Sequence, residues 1–179
     1  MRLISGEALT SIPVEEIHDV RGLKQRLNQL HGLPPRFRQR LLLHGEMLED
    51  TAKLDSPMDL DLVVLAFADV SQSEVDNLSF HAEEGIVAEV ESKLQLPLNP
   101  DSLNSDGDTA LMRASNSGPV EAVHLLLEAG ADKELANKDG VTAYMVAKKR
   151  GHFAITRLLL EAESGKNLKR IVPDTAVLI

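Results

Sequence analysis

Asp106 to Ala129 reads DGDTALMRASNSGPVEAVHLLLEA, and 33 residues further on Asp139 to Ala162 reads DGVTAYMVAKKRGHFAITRLLLEA. Asp106-Gly107 returns as Asp139-Gly140, Thr109-Ala110 as Thr142-Ala143, Ala114 as Ala147, Gly118 as Gly151, and Leu125-Leu126-Leu127 as Leu158-Leu159-Leu160. Each unit predicts a Gly turn, a short helix opened by Thr, a Gly break, and a second helix whose Leu triplet faces the neighbouring unit. Units of this kind bury their apolar faces only against copies of themselves, so they stack, and their exposed loops are left to vary.

A further backward shift lands on Gly85 from Gly118, on Val87 from Val120, on Val90 from Val123, on Leu94 from Leu127 and on Asn104 from Asn137. This first unit is worn: it lacks the Asp-Gly and Thr-Ala letters, and Leu96-Pro97-Leu98-Asn99-Pro100 replaces the second loop. An end unit shows one face to something other than a repeat, so atypical letters are expected there. The forward shift from Thr142-Ala143 lands on Thr175-Ala176, the opening of a fourth unit, either a half-repeat cap or a truncated longer array.

Residues 1–67 follow another pattern. Met1 to Leu9 and Ser11 to Glu16 alternate roughly apolar with polar around a Gly-containing stretch, which predicts a hairpin. After Asp19, an N-cap residue, Val20, Leu23, Leu27 and Leu30 fall at helical spacing up to Gly32, and Pro34-Pro35 bars more helix. Arg40 to Gly45 and Leu60 to Phe67 read as two further strands, the second a nearly continuous apolar run suited to a buried central strand. Strands around one helix make an α+β unit with the helix lying on a sheet.

Here the letters resemble a family. Gly32-Leu33-Pro34-Pro35, Gln39-Arg40-Leu41-Leu42, His44-Gly45, Leu48-Glu49-Asp50 and Leu54 are similar to the ubiquitin-like β-grasp domain at nearly its spacing. The chain departs from it by one extra residue between Pro35 and Arg40 and about four fewer between Leu54 and the last strand, and it runs on through Ala66-Phe67-Ala68-Asp69 in place of a free diglycine tail. Without that diglycine the domain is not a carboxyl donor in a conjugation reaction. Residues 71–179, with their 33-residue period, resemble ankyrin repeats. The family's Thr-Pro-Leu-His tetrad is here Thr109-Ala110-Leu111-Met112 and Thr142-Ala143-Tyr144-Met145, which removes a pre-set turn and a bracing imidazole and implies softer repeats. The whole chain resembles ubiquitin-like/ankyrin-repeat adaptor proteins, a grouping by architecture rather than by activity. The expected fold is therefore α+β: a β-grasp domain over 1–67, a connector over 68–79, and a short all-α solenoid over 80–179, with a degenerate first repeat to 103, repeats 104–136 and 137–169, and a partial cap 170–179. The two parts are expected to pack as one rigid body.

Composition narrows the chemistry. Aromatic residues make up 3% of the 179, so the core is aliphatic. No apolar run exceeds Leu62 to Ala68, well short of the roughly 20 residues of a spanning helix, and the start of the chain carries no secretory apolar segment. A cytoplasmic protein with no membrane insertion is expected. Zero Cys removes disulfides, thioester chemistry and thiolate zinc sites. His18, His31, His44, His81, His124 and His152 never fall three to five apart, so no metal is expected. Ser164-Gly165-Lys166-Asn167 is like the end of a phosphate loop, but Leu160 stands where the first Gly is due and Asn167 replaces Ser or Thr. No cofactor is expected, and no carboxylate pair sits in an apolar setting fit for acid–base work. The chain is read as a non-enzyme.

The net charge of −9 is concentrated: between Ala68 and Asp108 ten acids face Lys93 alone, while Lys148, Lys149, Arg150, Arg157, Lys166, Lys169 and Arg170 gather at the far end. Arg36, Arg38 and Arg40 alternate and are read as one solvated strand face, not a nucleic-acid surface. Two surfaces remain. By resemblance to the ubiquitin-like domain, Leu42 and Val63 form an outward apolar patch with His44 and Gly45 at its rim, open to a partner or buried on the ankyrin stack. By resemblance to ankyrin repeats, turn tips and helix ends bind: Ser105, Asp106, Asp108, Asn116 and Ser117, then Lys138, Asp139, Val141, Lys149 and Arg150. The expected function is a protein–protein adaptor, with ubiquitin-pathway components as one possible class of partner. The alternative is an accessory subunit docked permanently in a large membrane-bound or photosynthetic complex.

Overall fold

The computed structural model describes residues 2–3, 17–56 and 58–162, and one compact unit runs to Ala66 while a second starts at Phe67.

In the first unit Asp19 opens helix α1 (Val20–His31) by accepting a hydrogen bond from the Gly22 amide at 2.7 Å, and Gly32 ends it in the left-handed conformation at φ 62°. Two more first-turn amides find loop carbonyls: Val20 donates to Ala52 at 3.0 Å and Arg21 to Asp50 at 2.9 Å. Val20, Leu23 and Leu27 turn their stripe onto Ile17, Leu33, Leu41, Leu54, Leu60 and Leu62, an all-aliphatic core. Leu30, expected in that stripe, is 55% exposed, because at about 100° per residue it falls on the stripe's edge in the last turn.

Strands β1 (Arg2–Leu3), β2 (Gln39–Leu43), β3 (Glu46–Met47) and β4 (Asp61–Val64) form a sheet in the order β1-β4-β2-β3, with β1 parallel to β4 and the other pairs antiparallel. Apart from Arg2–Leu3, the hairpin expected over 1–16 lies outside the described residues. β4 is central, as its apolar run implies, but only Leu62 is fully buried in it while Asp61 is exposed, so one face is dry rather than both.

Arg36, Arg38 and Arg40 do not share a strand face. Arg36 and Arg38 sit in a 3-10 turn after Pro34-Pro35, and Arg36 is buried. Its Nη1 donates to Asp50 Oδ2 at 2.6 Å, Lys24 Nζ donates to Asp50 Oδ1 at 2.5 Å, and Lys24 too is buried, 2% exposed. Burial alone would push the Asp50 carboxyl up, but the two cations outweigh it and hold it below the usual carboxylate range. Burial lowers the Lys24 ammonium against the opposing pull of Asp50. One carboxylate thus serves two buried cations, an arrangement that alternation in the sequence does not reveal.

The second unit is three helix pairs: α2 (Gln72–Glu84) with α3 (Val87–Gln95), α4 (Ala110–Ser117) with α5 (Val120–Glu128), and α6 (Ala143–Arg150) with α7 (Phe153–Glu161). Thr109 and Thr142 cap α4 and α6 by accepting from the Met112 and Met145 amides, both at 3.3 Å. Within the connector expected over 68–79, α2 starts at Gln72 behind a Ser71/Glu74 capping box. Glu74 stands where the later units have Gly107 and Gly140, so no left-handed turn interrupts the chain and the helix extends backwards. Between α2 and α3, Gly85 is at φ 70° and a Cβ there would lie 2.9 Å from Pro119; at Gly118, φ 101°, it would lie 2.7 Å from the His152 ring. The break glycines therefore serve both the turn and the approach of the next unit.

Leu78, Ala82, Val90, Leu94, Leu111, Ala114, Val123, Leu126, Ala147, Ile155 and Leu159 are buried between and within the pairs. Lys133 ties one unit to the next by donating to the carbonyls of Leu159 in α7 at 2.8 Å and of its cap residue Ala162 at 2.5 Å, a cation on a helix C-terminus. The Leu triplet is spent unevenly: Leu125, Leu126 and Leu159 are buried, whereas Leu160 is 65% exposed. The cap expected over 170–179 lies outside the described residues.

Candidate functional site

Asn104 and Asn137 build the two turn tips. The Asn104 side-chain oxygen accepts from the Asp106 and Asp108 amides at 3.0 and 2.9 Å, Asn137 does the same for Asp139 and Val141 at 3.0 Å each, and Gly107 and Gly140 take φ 86° and 73°. Each tip is fastened to the previous unit. Asp76 of α2 accepts from the Ser105 amide at 2.7 Å and hydroxyl at 2.6 Å, and Asn137 Nδ2 donates to Asp108 Oδ1 at 2.7 Å. The Ser105 hydroxyl, then Gln72 and the Ser105 amide, hold the Asp76 carboxyl below its ordinary range. Ser105, Asp106, Lys138 and Asp139 are exposed and Asp108 and Val141 half-buried, so Ser105 and Asp108 brace the tips as well as facing solvent.

The ends of α4 and α6 bring Asn116 and Ser117 beside Lys149 and Arg150. Arg150 Nε donates to Asn116 Oδ1 at 2.8 Å, and His152 Nε2 lies 3.1 Å from the Asn116 carbonyl oxygen, meeting a helix-end group that has no partner within α4. Ser117, Lys149 and Arg150 are exposed. On the other side Arg113 of α4 grips Glu83 of α2 at 2.5 Å, with Asp108 at 3.8 Å and Asp106 at 4.0 Å. Two apolar side chains missed in the sequence lie exposed on these inner helices, Phe80 and Met145, each 54% exposed. The 33-residue register could have found Met145, since it aligns with Met112, which the next unit covers.

On the sheet of the first unit Leu42 pairs with Asp61 and Met47, and Arg40 with Val63. Leu42 and Val63 are therefore diagonal neighbours, about 7–8 Å apart on one face, both half-buried. Met47, 56% exposed, joins that face. Sequence reading missed it, although a two-residue hairpin at His44-Gly45 fixes residue 47 opposite Leu42. His44 and Gly45, exposed at φ 53° and 89°, form that loop with the twist a hairpin needs. The sequence put Leu42 between inward Leu41 and Leu43; Leu41 is fully buried and Leu43 packs on the core while half-exposed.

Among the described residues no group of three or more His, Cys, Asp or Glu is placed to hold a metal ion, and no helix is long and apolar enough to cross a membrane. The site is a display of side chains on turn tips and helix ends braced by hydrogen bonds from the neighbouring repeat.

Among solved structures, an ankyrin repeat domain from Acinetobacter baumannii AYE is 39% identical, with a TM-score of 0.45, over 48% of this chain and 46% of that one. The chain thus spans less than half the length of that relative. A comparison with curated proteins gives no match. The family model for ankyrin repeats in three copies matches residues 78–170, just over half of the 179 residues, and with the three helix pairs and their break glycines in place, the chain belongs to the ankyrin-repeat family.

Proposed function

We propose that the chain is a non-enzymatic adaptor that engages one protein through the turn tips and inner-helix ends of its repeats and a second through the Leu42/Val63 face of its first unit. Ankyrin repeats are a protein–protein interaction module. The observation that carries the adaptor reading is the exposure of Lys149, Arg150, Lys138 and Asp139 on a frame braced from beneath by Asn116, Asn137 and His152. Three units offer a small surface, so modest affinity follows. The ubiquitin-like reading of the first unit is supported by its Gly-Leu-Pro-Pro and Gln-Arg-Leu-Leu letters and by a helix packed on a mixed sheet whose edge hairpin turns at Gly45. On that reading, a link to ubiquitin-handling machinery is the proposed role of the patch.

A second reading, a resident subunit of a large assembly, is favoured by the last described unit, where Phe153 is 83% and Leu160 65% exposed. Affinity capture with variants separates the two. As an adaptor, Lys149→Glu with Arg150→Glu slows association and flattens its salt dependence, while Leu42→Ala mainly speeds dissociation, and both variants stay folded. If both variants capture the same proteins as wild type at matched salt, and gel filtration of native extract shows the chain only at high mass, the subunit reading replaces the adaptor.

A further inference from the structure

At the 33-residue offset, the last turns of α2, α4 and α6 carry Glu83-Glu84, Asn116-Ser117 and Lys149-Arg150 at equivalent positions. The three rungs are joined: Ser117 Oγ donates to Glu83 Oε1 at 3.4 Å and Arg150 Nε to Asn116 Oδ1 at 2.8 Å. Charge therefore runs from acidic through neutral to basic across one row of helix ends. The acidic end keeps a negative excess, because Arg113 is the base among Glu83, Glu84, Asp106 and Asp108. Lys148 extends the basic end, its ammonium 5.9 Å from the Tyr144 ring centroid.

Folding does not explain this grading. A helix C-terminus carries partial negative charge, so Lys149 and Arg150 suit the end of α6 while Glu83 and Glu84 stand against the end of α2. Arg113 relieves Glu83, but Glu84 is exposed. One turn before Glu84 lies exposed Phe80, and one turn before Lys149 lies exposed Met145. Phe80 beside Glu84 offers a ring face and a carboxylate to one cationic side chain. Met145 beside Lys149 offers apolar contact and a cation to an acidic one.

Resting on the reading of the turn tips and inner-helix ends as a protein-binding surface, we infer that this row is a docking track for an extended protein segment with segregated charge, basic at one end and acidic at the other. Neighbouring helices pack about 8–10 Å apart, so the end rungs lie roughly 16–20 Å apart, and at about 3.3 Å per residue an extended strand spans that in five or six residues. The partner is thus distinguished by the distance between its charged ends as well as by its charges.

The test uses the full chain and two labelled synthetic peptides of one composition. In the first, a pair of Arg and a pair of Glu are separated by four Ser; in the second, Arg and Glu alternate. Fluorescence anisotropy at low salt is expected to show the segregated peptide binding about tenfold more tightly, a difference of about 1.4 kcal/mol. Glu84→Lys alone and Arg150→Glu alone each remove most of that preference, and the double variant, in which Glu83 and Lys149 leave each end rung with no net charge, abolishes it. Backbone amide shift changes by NMR are expected at the ends of α2, α4 and α6. Equal binding of both peptides, with shifts at those ends, overturns the charge-track inference and leaves the helix-end binding surface standing. Shifts confined to other surfaces overturn both. Self-association of the chain through this row, seen by sedimentation and abolished by either single variant, also overturns the proposal, since a second copy would then be the occupant. The comparison of the two peptides on wild type decides the matter even if a variant fails to fold.

Discussion

Asp50 accepts from two buried cations, so removing its charge takes this carboxylate away from both Lys24 and Arg36 in the interior of the first unit. Asp50→Asn is expected to cost about 3 kcal/mol at neutral pH, read from urea unfolding. The folded carboxyl sits below its ordinary value, so its contribution is complete above the unfolded pKa of about 3.9 and is lost as pH falls through the lower folded value. The gap between wild type and variant should therefore narrow as pH drops below about 4, and a gap that widens in acid would contradict the assignment. Gly118 gives a second prediction. Gly118→Ala meets a left-handed φ of 101° and the His152 ring at 2.7 Å, and is expected to cost about 2 kcal/mol. In a His152→Ala background the cost should fall but not vanish, because the backbone strain remains. Several single residues were legible in the sequence for chemical reasons: Asp19 as a cap, Gly32 as a helix end, Gly118 as a break, Thr109 and Thr142 as openers. Lys24 was not legible, since a lysine on an apolar stripe is seen as polar until its partner, 26 residues away, is brought to it.

At the level of elements, period outperformed local pattern. The 33-residue register places α4 to α7 and their buried leucines, because each unit repeats the same packing problem and solves it with the same letters. Leu126 is fully buried, and Leu126→Ala is expected to cost about 2–5 kcal/mol through lost burial and the cavity left behind. A thermal midpoint unchanged by that substitution would overturn the register. Where the repeat is worn the register loses resolution: with Glu74 in place of a turn glycine the 33-residue period does not mark the start of α2, and its one signal in the letters is the Ser71-x-x-Glu74 capping box. The strands were overrun for a related reason. Leu60 to Phe67 is apolar but for Asp61, yet the paired register covers Asp61–Val64, with the Leu65 amide donating one further bond to the Arg38 carbonyl, and His44-Gly45 belongs to a turn that the apolar run before it conceals.

For the whole molecule, the charge separation read from the sequence takes a specific form on the repeats, a graded row on the helix ends rather than a diffuse solvated face. The candidate residues Asn116, Ser117, Lys149 and Arg150 were reachable from family resemblance; Glu83 and Glu84 were visible only as part of an acidic block until the register aligned them with the basic pair. The most direct test of the protein-binding account is hydrogen exchange by mass spectrometry on the full chain, free and in the complex purified with its captured partner. The account predicts slowed exchange over the tips 104–108 and 137–141 and the helix ends 113–117 and 146–150, with α3, α5 and α7 unchanged. Slowed exchange confined to α3, α5 and α7, or none in the second unit at all, would contradict it.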